Sequence, residues 1–267
     1  MQQTPYAGGK MLASAQDGIG TVVFNQPEKR NAMSVEMWEG LGQILAGFAE
    51  DPAIRVVVLT GAGDKAFVSG ADISQFEKQR GDNEARAEYE RKTKYGREIF
   101  DTFAKPMIAR IQGFCIGGGL AIAMNADLRI ASDDSQFGIP AARLGISYGY
   151  QSVRRLVQLV GPAEARMLLY TGDRIPAVEA RQIGLINRVV PVVELDTTVA
   201  RIAQTIATNA PLSVISMKQT VTEACKDEAN ADVKAIAESI ATCFNSADYR
   251  EGRQAFMAKR KPAFNGL

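Results

Sequence analysis

Three consecutive glycines, Gly117 to Gly119, separate a stretch typical of a β-strand from one typical of a helix. Residues 107–111 alternate and are partly β-branched, whereas residues 120–124 are small and apolar. Glycine lets the backbone approach a ligand closely and adopt angles that other residues avoid. A helix start presents unpaired N–H groups and the positive end of the helix dipole. The stretch therefore favours either a site for a negatively charged oxygen or a tight turn packed against a neighbouring element.

A second glycine-containing turn shifts this balance towards a functional site. The apolar residues 56–59 are typical of a buried strand, and the turn Ser69-Gly70-Ala71-Asp72 follows shortly after them. Two such turns can each direct one backbone N–H at a common point. Two N–H donors on one oxygen stabilise a thioester enolate or a tetrahedral oxyanion.

Composition excludes several classes of protein. The chain has 267 residues, of which 46% are hydrophobic, so it can form one domain with a sizeable core or one domain with a small appendage. A net charge of +1 gives no electrostatic case for binding nucleic acid or an anionic membrane. Residues 1–10 lack the apolar region of a signal peptide, and no apolar run is long enough to span a bilayer. The three widely spaced cysteines, Cys115, Cys225 and Cys243, predict free thiols in a reducing, cytoplasmic compartment.

The chain contains no histidine. This absence removes Ser-His-Asp and Cys-His nucleophilic schemes, histidine metal sites and histidine general bases, and we expect neither a metal nor a separate cofactor. Proton transfer must use Asp, Glu, Tyr, Lys, Cys or water.

The order of predicted elements favours an α/β fold. Asp17-Gly18 predicts a hairpin, and Ser34 is a candidate N-cap of a helix that places five apolar residues on one face: Met37, Leu41, Ile44, Leu45 and Phe48. The densely charged residues 75–98 predict a surface helix, with a loop closing over a pocket as the alternative. We expect an α/β core over residues 1–195 and a helical region over 196–267. That region either covers its own core or packs against a partner subunit.

Several motifs, in order along nearly the whole chain, resemble the crotonase, or enoyl-CoA hydratase/isomerase, superfamily. They are Asn25-Gln26-Pro27 with Arg30-Asn31-Ala32, Ser69 to Ile73, Gly113 to Gly119 with Asp127, Phe137-Gly138, the segment from Arg181 through Gly184, Leu185 and Asn187 to Val189, and Phe256 with Lys259-Arg260. Together they are far more specific than either glycine turn alone.

The resemblance implies a β-β-α superhelix, usually assembled as trimers or pairs of trimers, that binds an acyl-CoA thioester. It implies that the N–H groups of Ala71 and Gly118 bind the thioester oxygen. It places Lys29, Arg30 and Ala32 along the CoA nucleotide, and Ser69, Asp72 and Ile73 around its adenine. Phe256 and Lys259, from a neighbouring subunit, would approach the CoA phosphates. Spacing alone would favour an ordinary exposed turn for Lys29-Arg30.

The chain departs from the family pattern at two positions. Family hydratases carry two glutamates, one two residues after the glycine triplet and one after the proline of the next loop. Here these positions are Ala121 and Ala141. Since each acid–base group contributes about two to four orders of magnitude in rate, an enzyme that keeps only the oxyanion hole should be a poor hydratase.

The segment from Pro140 to Tyr150 offers replacements for the missing glutamates. It is similar to the corresponding segment of methylmalonyl-CoA decarboxylase, a crotonase relative with a tyrosine after Leu-Gly-x-x. Tyr148 is then either a weak acid that protonates an enolate or an aromatic wall of the pocket. Arg143 could hold a substrate carboxylate, although a structural ion pair is favoured. Three functions stay open: an enoyl-CoA hydratase/isomerase-family lyase or isomerase, an acyl-CoA decarboxylase, and a non-catalytic acyl-CoA binder or trimeric scaffold.

Overall fold

The computed structural model describes residues 2–72 and 83–267. The strands are β1 Thr4–Tyr6, β2 Met11–Gln16, β3 Ile19–Phe24, β4 Val56–Gly61, β5 Ala66–Val68, β6 Met107–Ile111, β7 Phe114–Ile116, β8 Leu128–Ser132, β9 Gln136–Gly138, β10 Arg174–Pro176 and β11 Arg188–Val190. The α-helices are α1 Val35–Glu50, α2 Asn83–Thr102, α3 Gly118–Asn125, α4 Tyr150–Thr171, α5 Ala177–Gln182, α6 Leu195–Thr208, α7 Pro211–Ala224, α8 Val233–Asn245 and α9 Ala247–Met257.

In the described part of the chain these strands form two sheets. A seven-stranded sheet has the order β1-β2-β3-β4-β6-β8-β11, antiparallel at its first two pairs and parallel from β3 onwards. A four-stranded sheet has the order β10-β9-β7-β5. Strand β7 is parallel to both β5 and β9, and β10 is antiparallel to β9. These two sheets and the helices that connect their strands form the predicted α/β fold. The C-terminal region is helical, as predicted.

The core lies on both faces of the larger sheet. Val57 and Leu59 of β4 belong to a cluster with α1 and the smaller sheet, whereas Val56 and Val58 belong to a second cluster with α6. Alternate side chains of a strand point to opposite faces, so residues 56–59 of β4 are all apolar because both faces of the strand are buried there. The boundary predicted at residue 195 coincides with the start of α6. This helix packs on the sheet, and the functional division at that point stays a prediction.

The first elements form as the sequence predicts. Asp17 and Gly18 both have positive φ, at 51° and 82°, in the turn between β2 and β3. The Ser34 hydroxyl caps α1 by accepting the Met37 N–H at 3.4 Å. Four of the five apolar residues on the predicted face of α1 are buried, and Phe48 packs against the same cluster.

The charged helix buries one of its faces. Tyr89, Thr93 and Phe100 are buried, and a Cβ placed on Gly96 would lie 1.9 Å from the Trp38 carbonyl oxygen of α1. The charged side chains on the other side include the exposed ion pairs from Glu88 to Arg91 and Lys92. The surface-helix interpretation is therefore confirmed from residue 83 onwards, and the alternative of a closing loop lies largely outside the described residues.

The last helix begins earlier than expected. The sequence predicts a helix over residues 254–260, but α9 runs from Ala247 to Met257. It starts there because the Ser246 hydroxyl accepts the Tyr249 N–H at 3.0 Å, which satisfies one free donor of the first turn. Lys259 has a φ of 51°, in the left-handed region that a helix cannot continue through.

Candidate functional site

The glycine triplet joins β7 to α3. Gly117 has φ 54° and ψ −118°, a conformation open in practice only to glycine, and it reverses the chain between strand and helix. Gly119 is required for another reason, because a Cβ there would lie 1.9 Å from the Val68 carbonyl oxygen of β5. These two positions fix the start of α3 against the smaller sheet.

The second turn follows β5 and is held by the segment before α1. The Met33 N–H donates to the Gly70 carbonyl at 2.8 Å, and the Asp72 N–H donates to the Met33 carbonyl at 3.0 Å. The Ala71 N–H between them takes no part in this bridge. Within the described residues it has no hydrogen-bond acceptor.

The two turns bring Ala71 and Gly118 together. A Cβ placed on Gly118 would lie 3.6 Å from the Ala71 nitrogen, and one on Gly70 would lie 3.9 Å from the Gly118 nitrogen. Gly118 is the first residue of α3, so its N–H has no intrahelical acceptor. Two unpaired amide donors, one of them at a helix N-terminus, can together bind an oxygen that carries negative charge.

Tyr148 contacts this site from the loop before α4. Its hydroxyl donates to the Gly117 carbonyl oxygen at 2.7 Å, and its ring packs against the main hydrophobic cluster. Burial raises the pKa of the Tyr148 phenol above its ordinary value of 10.0. The phenol is therefore protonated, and so a hydrogen-bond donor, throughout the physiological range.

The two alanines at the family's glutamate positions lie in different surroundings. Ala121 lies in the first turns of α3, is partly exposed, and donates its N–H to the Gly117 carbonyl at 3.0 Å. Ala141 is 6% exposed and belongs to the main hydrophobic cluster. Neither methyl side chain can transfer a proton.

Five of the residues predicted to bind CoA are in one place. The turn around Lys29, Arg30 and Ala32 is joined to the second turn by a bond from the Ser69 N–H to the Arg30 carbonyl at 3.0 Å. The Lys29 ammonium also lies 2.8 Å from the Asp72 carboxylate. Hydrogen bonding to Asp72 and its negative charge raise the pKa of Lys29. Ile73 is outside the described residues.

Phe256 and Lys259 lie elsewhere in the chain. Phe256 is 83% exposed and lines an apolar groove of about 710 Å³ among α7, α8 and α9. Within the described residues, no hydrogen bond or ion pair joins either residue to the Lys29–Asp72 region. The approach of these two residues to the CoA phosphates therefore stays a prediction.

Two arginines approach the ring of Phe114, at the start of β7. The guanidinium carbons of Arg30 and Arg174 lie 5.3 and 5.4 Å from the centre of the Phe114 ring. Arg30 was predicted, but no motif pointed to Arg174, because β10 approaches Phe114 only through the folding of the smaller sheet. Arg143 forms an ion pair with Asp173 and donates to the Thr171 carbonyl at 3.0 Å, which confirms the structural interpretation of that residue.

Other kinds of site were sought in the described ranges 2–72 and 83–267. No cluster of three or more potential metal ligands occurs there. None of the helices there has an apolar stretch of the length that a bilayer crossing needs. The three cysteines form no disulfide, and burial raises the pKa of the Cys115 thiol, which keeps that thiol protonated.

Comparison with known families identifies the family and the fold. The family model described as enoyl-CoA hydratase/isomerase matches residues 14–266, almost the entire chain. The chain belongs to this family. The superfamily is the crotonase superfamily that the motifs indicated.

Relatives in the enoyl-CoA hydratase/isomerase family are similar over nearly their full length. A short-chain-enoyl-CoA hydratase from Clostridium acetobutylicum is 36% identical, covering 94% of this chain and 95% of the relative. A crotonyl-CoA hydratase from Syntrophomonas wolfei is 35% identical, covering 95% and 97%. The crystal structure of an enoyl-CoA hydratase/carnithine racemase from Magnetospirillum magneticum superposes with a TM-score of 0.93 at 32% identity, covering 99% of this chain and 97% of the other. The crotonase fold extends over the chain.

Proposed function

We propose that this protein is an enzyme that binds an acyl-CoA thioester and stabilises its enolate with the N–H groups of Ala71 and Gly118. The observation that carries the proposal is the proximity of these two unpaired amides at the junction of two turns. When a thioester becomes an enolate, negative charge develops on the carbonyl oxygen. Fixed N–H donors stabilise that charge more than the neutral ground state, and so they accelerate the reaction.

The CoA moiety would bind along the segment that joins the two turns. Lys29, Arg30 and Ala32 would contact the nucleotide, and Ser69, Asp72 and Ile73 the adenine. Supporting this, the described members of this set are linked by hydrogen bonds and the Lys29–Asp72 ion pair. CoA would enter only as part of the substrate, with no further cofactor.

A neighbouring subunit would complete the phosphate site. Phe256 and Lys259 are exposed at the end of α9, and no hydrogen bond or ion pair among the described residues joins them to the Lys29–Asp72 region. Assembly into a homotrimer or homohexamer would bring these residues from one subunit to the CoA of the next. Residues 196–267 would then act partly as a covering region for a partner.

The chemistry after enolate formation would differ from that of a two-glutamate hydratase. If Ala121 and Ala141 occupy the glutamate positions, as the resemblance implies, the site lacks the groups that position water and move protons. Hydration of an enoyl-CoA would then be slower by about two to four orders of magnitude for each missing group.

Decarboxylation is the second candidate, and the position of Tyr148 favours it. The C–C bond to the carboxylate of a malonyl-type thioester breaks, CO₂ leaves, and the electron pair forms the enolate held by Ala71 and Gly118. The α-carbon then takes a proton from water or from the Tyr148 hydroxyl, which lies beside the glycine turn. No base is required to start this reaction.

Three incubations separate the candidates. Crotonyl-CoA, followed by loss of its conjugated thioester absorbance, measures hydration. Methylmalonyl-CoA and ethylmalonyl-CoA, followed by release of CO₂, measure decarboxylation. We expect CO₂ release with little hydration. Rapid hydration would contradict the interpretation of the two alanines, and calorimetric binding of acyl-CoA without turnover of any thioester would indicate a non-catalytic binder.

A further inference from the structure

The Gly117 carbonyl and the Gly118 N–H belong to the same peptide group. The carbonyl faces α3 and Tyr148. The N–H is one of the two unpaired donors of the candidate site, and the other is the N–H of Ala71. Because a peptide group is planar and conjugated, a hydrogen bond to its oxygen fixes the direction of its N–H. It also draws electron density to the oxygen and makes the N–H a stronger donor.

The Gly117 oxygen accepts two hydrogen bonds on its two lone pairs. The Ala121 N–H donates at 3.0 Å, as in any first turn of a helix, and the Tyr148 hydroxyl donates at 2.7 Å. The first bond exists in every helix, whereas the second depends on one side chain 31 residues away. Cooperative strengthening along hydrogen-bond chains is about 10–30% per bond, so this second donor changes the N–H appreciably.

Gly117 needs such support because its conformation is unusual. Its φ of 54° and ψ of −118° lie outside the common regions, and no side chain caps the helix at this point. A Cβ on Gly117 would meet nothing within 4 Å, so the positive φ, and not crowding by neighbours, is what requires glycine there, and the Gly117 N–H donates to the Gly138 carbonyl at 2.8 Å. The hydrogen bonds of its peptide groups determine its orientation.

We propose that Tyr148 is a positioning residue that orients and polarises the Gly117–Gly118 peptide, so that the Gly118 N–H binds the thioester oxygen of an acyl-CoA. This inference rests on the proposed function of the Gly118 N–H. It differs from the assignment of Tyr148 as a proton donor to carbon, because the hydroxyl proton is used in the bond to Gly117 and acts on the substrate only through the peptide.

The test measures the polarisation of a bound, unreactive thioester. Butyryl-CoA labelled with ¹³C at the thioester carbonyl is bound to the full-length protein, and its carbonyl stretching frequency is recorded by infrared difference spectroscopy. We expect a shift to lower frequency in the wild-type protein relative to water. The variant Tyr148→Phe keeps the ring and its packing, and we expect it to show a clearly smaller shift. With a reactive thioester substrate, its kcat should fall about tenfold, which is less than the loss caused by removing an oxyanion-hole donor directly.

A graded series strengthens the test. Fluorotyrosines incorporated at position 148 are stronger hydrogen-bond donors while they stay protonated, so the carbonyl shift should increase with the acidity of the phenol. A role limited to packing would give no such dependence. Tyr150→Phe is the matched control, since Tyr150 lies in the same segment but is 76% exposed. It should leave the frequency unchanged.

The outcomes distinguish this inference from the proposed function. If wild-type protein binds butyryl-CoA without any carbonyl shift, both the oxyanion-hole proposal and the role of Tyr148 fail. If wild-type protein shifts the carbonyl and Tyr148→Phe shifts it equally, the positioning role fails and the oxyanion hole stands. An equal shift with lost CO₂ release would instead assign Tyr148 as the acid.

Discussion

The Ala71 nitrogen lies 3.6 Å from the position that a Cβ on Gly118 would occupy. This distance is ordinary van der Waals contact, so a methyl group there is accommodated by the protein. The same methyl group would lie against the Gly70–Ala71 peptide, 3.6 Å from both the Ala71 nitrogen and the Gly70 carbonyl carbon, and so would narrow the space between the two amides. Gly118 also has no positive φ, so alanine does not strain its backbone.

We therefore predict that Gly118→Ala folds normally and loses activity. Alanine keeps the backbone N–H, so the methyl group would act by crowding an oxygen bound between the two amides. Loss of one oxyanion-hole donor costs about 10²–10³ in kcat, and we expect a fall of up to that size in whichever thioester reaction the enzyme catalyses. Free CoA should bind with unchanged affinity in calorimetry, because the nucleotide region is not altered. Gly47→Ala in α1 is the control, since its Cβ meets nothing within 4 Å. Wild-type kcat in Gly118→Ala would count against the assigned donor.

The second prediction concerns the two alanines. If the missing glutamates are what limits hydration, the double variant Ala121→Glu/Ala141→Glu should hydrate crotonyl-CoA at least about 100-fold faster than the wild-type protein. Ala141 is 6% exposed, so a carboxylate there is partly desolvated and the variant should melt at a lower temperature.

The control for that experiment is Ala121→Gln/Ala141→Gln, which adds similar volume without an ionisable group. It should lose comparable stability and gain no hydratase activity, as followed by absorbance of the conjugated thioester. Equal rates in the Glu and Gln variants would show that acid–base groups at these two positions are not what the site lacks.

The sequence predicted the elements whose signal is local. The hairpin at Asp17-Gly18, the Ser34 cap and the apolar face of α1 all follow from residues within one turn or one helix of each other. The smaller sheet was not predicted, because each of its four strands has three residues, too few for a periodic pattern.

The sequence indicated the backbone donors of the candidate site, but it did not indicate the side-chain contacts around them. Glycine turns after strands indicated a pair of backbone donors, and the family resemblance assigned these donors to Ala71 and Gly118. The bond from Tyr148 to Gly117 and the approach of Arg174 to Phe114 depend on where β10 and the loop before α4 come to lie. Such contacts between distant segments are properties of the tertiary structure and leave no mark in residue spacing.

The C-terminal segment provides a prediction for the pH dependence of stability. The Glu251 carboxylate binds the Arg260 guanidinium through both oxygens, at 2.6 and 2.8 Å, and accepts the Ala263 N–H. The hydrogen bonds from Arg260 are the main cause that lowers the pKa of Glu251 from 4.5 to about 2. A lowered carboxyl pKa stabilises the folded state above the unfolded pKa, and this contribution is lost as pH falls towards the folded value.

Glu251→Gln should therefore lower the urea midpoint at pH 7, and its difference from wild type should narrow as pH falls from 4.5 towards 3. The effect should be small, because the pair is exposed to solvent and screened by salt. Glu194→Gln, an exposed glutamate with no ion pair in the described residues, is the control. A difference that stayed constant across this pH window would contradict the assignment of the effect to the charged form of Glu251.

The most direct measurement is a crystal structure of the protein with butyryl-CoA bound. The account predicts that the thioester carbonyl oxygen lies within about 3.1 Å of both the Ala71 and the Gly118 nitrogens. A bound thioester whose carbonyl oxygen contacts neither amide, or only one of them, would contradict it.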